Sequence, residues 1–150
     1  MIVELDNDVQ NQAFSAYYSG RYFEAIQLIH GNLESAVRML LFSSGPKIEF
    51  KDYIHIQHVS EEITLSQGIK SLYVIGVISK SHYDRAVEFN RLRNKLIHEF
   101  HSMKALKVKA SIEESKLESV FRSAADLSNE FIELSANSNT REINCNLGKT

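Results

Sequence analysis

Apolar residues in this chain recur at steps of three and four over several long stretches, and that period predicts helices. Between residues 22 and 44, Ile26, Ile29, Leu33, Val37, Leu40 and Leu41 fall on one helical face. Glu34 and Arg38 stand four apart on its flank in the favourable order, and Gly45-Pro46 supplies the stop. A shorter helix is expected before it, over residues 8–18, ending near Gly20. Residues 47–58 alternate in part, with Ile48 and Phe50 and then Ile54 and Ile56, so a short strand or extended connector is expected there. The helical period resumes over about 61–75 through Leu65, Ile69, Leu72 and Tyr73, with Thr64 and Gln67 spaced as a capping box. Gly76 and the Val77-Ile78-Ser79 link then break it.

Ser81 and Asp84 have the same capping spacing and open a helix with Ala86, Phe89, Leu92, Leu96, Phe100 and Met103 on one face. A last helix is expected from Ser111, with Glu114 three residues on, to about Ala136. It is carried by Leu117, Val120, Phe121, Ala124, Leu127, Phe131 and Leu134, close to a heptad seam. Four substantial helices after a shorter first one, joined by mostly short links, predict an all-α fold: an antiparallel bundle of four long helices plus a short N-terminal helix. One Pro and six Gly argue against a sheet-rich fold with many tight turns. The helical domain is expected over residues 1–136, and residues 137–150, rich in Asn, Ser and Thr, as a disordered tail.

Composition narrows the class. The chain has 150 residues, enough for one domain with a real core, and 43% apolar with 24% charged residues is the balance of a soluble globular protein. The formal charge of −2 excludes a globally basic nucleic-acid binder, so any such contact must come from a local patch. The single cysteine, Cys145, has no internal disulfide partner, the N-terminal residues carry acids where a secretory signal needs basic ones, and no stretch approaches about 18 apolar residues. A cytoplasmic protein without a membrane span is expected.

Candidate chemistry gathers on the 81–103 helix. At about 100° per residue, Arg91, Asn94, His98 and His101 share a narrow arc opposite Phe89, Leu96 and Phe100. Arg93 lies about 140° from His98 and so beside the apolar face. An arginine there must snorkel, pair with an acid such as Glu61 or Glu62, or face a wet cleft, because an unpaired buried charge costs several kcal/mol. Arg85, Arg91, Arg93, Lys95, Lys104, Lys107 and Lys109 concentrate positive charge on and just beyond this helix. Such a patch suits an RNA backbone, and it equally suits a solvated flank whose lysines complement the helix dipole. His55 and His58, with Glu61 and Glu62 nearby, do not form a recognisable metal set, and no Gly-rich phosphate loop, nucleophile elbow or paired-cysteine motif is present.

The segment Arg93-Asn94-Lys95-Leu96-Ile97-His98 resembles the signature of the HEPN superfamily, in which an arginine, a polar residue that is often asparagine and three more residues precede a histidine. Upstream, Leu65-Ser66-Gln67-Gly68-Ile69-Lys70-Ser71-Leu72-Tyr73 and Val74-Ile75-Gly76-Val77-Ile78 resemble the helix and Gly-containing turn of mannitol-repressor-like and abortive-infection-like members. The likeness covers about residues 65–100 and extends weakly into residues 22–44. It implies a homodimer whose paired signatures line one cleft and cut RNA without metal or cofactor, leaving 2′,3′-cyclic phosphate ends. In that scheme His98 assists proton transfer, Arg93 holds the scissile phosphate, and Asn94 orients Arg93 or the phosphate. Arg91, Lys95, His101 and Lys104 would track the RNA. The resemblance equally admits a non-catalytic interaction module like the mannitol-operon repressors, and an antitoxin or regulatory protein as a further partner. HepT-type toxins carry a modifiable tyrosine two residues after the histidine; Phe100 stands here, so that route of silencing is not expected.

Overall fold

The computed structural model describes residues 2–46, 48–101, 114–137 and 143–144. The described chain is all-helical apart from one two-residue pairing. Its elements are α1 (Ile2–Tyr18), α2 (Tyr22–Ser43), β1 (Ile48–Glu49), α3 (Phe50–Glu61), α4 (Leu65–Val74), α5 (Lys80–His101), α6 (Glu114–Asn137) and β2 (Ile143–Asn144). The strands pair in parallel, Ile48 with Ile143 and Glu49 with Asn144, tying the start of α3 to the chain beyond α6. The rest of residues 138–150, the Ser111 start expected for the last helix, and Met103 lie outside the described residues.

α2 forms the centre of the molecule, and α1, α3, α4, α5 and α6 all pack on it. The core joins Ile26, Ile29, Leu33 and Val37 of α2 to Phe89 of α5 and Phe121, Leu127 and Phe131 of α6, all essentially without solvent contact. These are the apolar positions that the helical period picked out. α1 runs antiparallel to α6: Tyr18 donates to Glu118 at 3.2 Å, Phe14 meets Phe121 edge-on, and Gln10 donates to Asn129 at 3.0 Å. Gln10 also reaches Asn32 of α2 at 3.0 Å, so the polar atoms buried where three helices meet satisfy one another.

Four local expectations change. The first helix is not short, because it begins at Ile2 and has 17 residues. The turn that closes it after Tyr18 runs through Gly20, whose φ of 82° suits a residue without Cβ. The 47–58 segment is extended only at Ile48 and Glu49 and is helical from Phe50. Tyr53, Ile56 and Ser60, spaced three and four apart, turn toward the body, with Tyr53 edge-on to Phe42 at 5.5 Å. That tertiary contact overrides the local alternation and leaves Phe50 67% and Ile54 64% exposed.

The third change shortens the 61–75 helix to the ten residues of α4, capped as its spacing predicts: Thr64 Oγ1 accepts from the Gln67 N–H and Gln67 Oε1 accepts from the Thr64 N–H. Gly68 lets α4 lie close on α2, since a Cβ there would collide with Val37 Cγ1. The fourth concerns the cap of α5. Ser79 and His82 make it, two residues before the expected Ser81 and Asp84. Ser79 Oγ accepts from the His82 N–H, and His82 Nδ1 accepts from the Ser79 N–H, each at 3.2 Å. An imidazole thus takes the place usually held by Glu or Gln, and Asp84 is left to pair with Lys80 at 2.8 Å. No helix among the described residues is long and apolar enough to cross a membrane.

Candidate functional site

The geometry of α5 is fixed by its buried face. Ala86, Phe89 and Leu96 are in the core and Leu92 packs against it, which turns Arg91, Asn94, Lys95 and His98 to solvent. The exposed stripe expected from the sequence is therefore present through His98. The side chains of His101 and Phe100 and all of Lys104 lie outside the described residues. His98 makes no hydrogen bond or ion pair among the described residues, so its imidazole stands open to solvent.

Arg93 is half-buried at the margin of the core, as its angular position requires. Neither Glu61 nor Glu62 pairs with it. Glu61 sits on α3 with its carboxylate 3.9 Å from His58 Nδ1, away from α5. Instead Arg93 Nε donates to Gln27 Oε1 of α2 at 3.2 Å, and Nη1 reaches Asn94 Oδ1 at 3.5 Å, a weak contact. Two neutral amides thus hold the guanidinium in place without cancelling its charge, and no carboxylate pairs with it among the described residues.

The basic set divides. Arg85 does not join the exposed patch: it turns into the α5–α6 seam, where Nη1 meets Glu130 at 2.6 Å, Nε donates to Ser123 Oγ at 3.0 Å and Nη2 donates to the Ser123 carbonyl at 3.1 Å. Arg91 and Lys95 remain exposed without acidic partners among the described residues. Lys107 and Lys109 lie outside those residues.

On the α2 side of the site the sequence reading named only the Glu34–Arg38 pair and missed Gln27 and His30. Gln27, His30, Glu34 and Arg38 recur at steps of three, four and four, a polar row beside the apolar one. Glu34 and Arg38 form an ion pair at 3.0 Å and together fasten the link into α4: Glu34 Oε2 accepts from the Leu65 N–H at 3.1 Å, and Arg38 Nε donates to the Ile63 carbonyl at 2.8 Å. His30, in the same row, feels the charges of Arg93, Glu34 and Arg38. Burial, then the charge of Arg93, hold its imidazole below the ordinary histidine value, with Glu34 opposing and Arg38 adding a smaller push in the same direction. The signal that could have found this row was its spacing; its partners on α5 and in the link before α4 were not readable from it.

Comparison with family models, with curated proteins and with solved structures finds no match to this chain.

Proposed function

We propose that this chain is a metal-independent endoribonuclease of the toxin or phage-defence type, built as an antiparallel HEPN-like helical bundle and acting as a cytoplasmic homodimer. The observation that carries the reading is the contrast within one signature: Asn94 and His98 face solvent, while Arg93 is fixed by amides with its charge unneutralised among the described residues. A scissile phosphate needs such a partner, because a guanidinium not already held by a carboxylate can meet two phosphate oxygens with its planar fork.

The chemistry follows from the groups. The ribose 2′-oxygen attacks the adjacent phosphorus, the bond from phosphorus to the 5′-oxygen breaks, and the products carry a 2′,3′-cyclic phosphate and a 5′-hydroxyl. One His98 imidazole takes the 2′-hydroxyl proton, and the His98 of the second copy returns a proton to the leaving oxygen. Such proton transfer contributes about 10²- to 10⁴-fold. Arg93 offsets the charge that grows on the phosphoryl oxygens, and Asn94 orients Arg93 or the phosphate. Arg91, Lys95, His101 and Lys104 extend the contact along the strand, and an antitoxin or regulatory protein is a further partner of the assembly.

The test is cleavage of RNA by the purified chain in chelator, with sedimentation for its oligomeric state. Cyclic-phosphate ends that disappear in His98→Ala support the reading; a monomer, or cleavage that requires a divalent ion, removes it. A second reading, a non-catalytic interaction module resembling the mannitol-operon repressors, is favoured by the exposed Phe50 and Ile54 on α3 and by Val74, which is 82% exposed. It prevails if wild-type dimer leaves RNA uncut.

A further inference from the structure

Between α4 and α5 lies a groove of about 160 Å³ that Arg93 does not line and whose floor is the edge of the core. Leu65 and Ile69 of α4 and Ala86 and Val87 of α5 give it an apolar lining. Its polar contributors include Lys70 from α4 and Arg91 from α5, one exposed cation from each helix, and neither pairs with a carboxylate among the described residues. Tyr83 also lines the groove and stacks on Tyr73, with ring centroids 4.8 Å apart and planes at 28°. Asn90, half-buried at the same wall, adds a side-chain amide that both donates and accepts.

Size and chemistry together select the occupant. Drug-sized ligands need about 300–1,000 Å³, whereas a cavity of about 150 Å³ takes a single benzene-sized ring. The groove therefore suits one flat ring system. Asn amides pair well with base edges, cations on both flanks suit phosphates on either side of a base, and an aromatic or apolar floor accepts the base face. Arg91 links this groove to the proposed reaction centre: Arg91, Asn94 and His98 share one arc of α5, and seven residues of helix place His98 about 10 Å further along.

We propose that the α4–α5 groove is a subsite for one unstacked nucleobase of single-stranded RNA, with Lys70 and Arg91 on its flanking phosphates. It sets which phosphodiester bond lies at His98. The proposal rests on the reading of the α5 stripe as an RNA-cutting site, and it is tested by binding as well as by cleavage.

Two probes are used on the full chain. In amide NMR titrations, 5′-AMP should shift Ile69, Val87 and Asn90, while an Asp-Phe-Asp peptide should not. In fluorescence anisotropy with labelled oligoadenylate and the His98→Ala chain, Lys70→Glu and Ser66→Trp should each weaken binding about tenfold or more, the scale of losing one base contact. Ser66 is exposed at the groove, so its replacement blocks the site without entering the core, and unchanged melting temperatures verify the fold. Amide shifts caused by the peptide and not by 5′-AMP would make the groove a protein-docking site and overturn the proposal. So would cleavage dependent on His98 together with unaltered binding in both groove variants, a result that leaves the nuclease reading standing. Nucleotide-specific shifts and weakened RNA binding in a chain that cuts nothing would keep the subsite and remove the nuclease.

Discussion

Two arginines eight residues apart on α5 live in opposite electrostatic settings. In the α5–α6 seam, Arg85 meets the carboxylate of Glu130 and both the hydroxyl and carbonyl of Ser123, so its charge and three of its donors are used in holding two helices together. In the α2–α5 seam, Arg93 meets only the amides of Gln27 and Asn94 among the described residues. Both side chains are partly covered, and both would be written simply as a basic residue on a helix. What separates them is whether the surroundings neutralise the charge or only orient it. A neutralised guanidinium is a structural clamp, while an oriented and uncompensated one keeps its charge and its fork of donors for a further partner.

The largest effect is expected at the open end of the second seam. His98→Ala should lower single-turnover RNA cleavage by about 10²- to 10⁴-fold. The melting temperature should not move, because the side chain is exposed and makes no bond among the described residues. A variant as active as wild type would leave the α2–α5 seam without a catalytic partner.

Arg93→Lys tests the fork itself. An ammonium keeps the charge but loses the planar pair of donors, so the cleavage rate should fall about 10²-fold with little change in stability. Equal rates for Arg and Lys at this position would show that charge alone suffices. Arg85→Ala should behave in the opposite way, lowering stability by about 1–2 kcal/mol through its lost ion pair and hydrogen bonds. Denaturant unfolding reads the loss, and the cleavage rate of the remaining folded protein should match wild type. If Arg85→Ala abolishes cleavage while the fold survives, the division between clamp and receptor is wrong.

The smallest effect concerns His30. Its folded-state pKa lies below the ordinary value of 6.5, so at mildly acidic pH the unfolded chain binds more protons at this residue than the folded one. Its contribution to stability is therefore complete above pH 6.5 and declines as the pH falls below that value toward the folded-state pKa. His30→Gln, which keeps a polar side chain but cannot titrate, should flatten the dependence of melting temperature on pH in that window. An unchanged slope would mean that the Arg93 seam does not feel this imidazole.

Much of the architecture was legible because burial imposes a period. Ile26, Ile29, Leu33 and Val37, like Leu117, Phe121, Leu127 and Phe131, had to share a face to leave water together, and all are in the core. The cap at Thr64 and Gln67 was legible because it is local chemistry within four residues. The cap of α5 was not, because a histidine took the acceptor role and the signal at Ser81 and Asp84 was equally well formed. α3 escaped because its inward Tyr53 meets Phe42, which belongs to another helix.

By itself, then, the sequence determined which residues seek the interior, that helices carry them, and that Asn94 and His98 share an arc turned away from the apolar face of their helix. It also placed Arg93 beside that face. Tertiary structure alone decided that Arg85 is neutralised by Glu130, that Arg93 is held by Gln27, and that His30 comes to lie beside it. Periodicity is a property of one helix, whereas the state of a charge depends on atoms delivered by another, and their arrival is settled only when the helices pack.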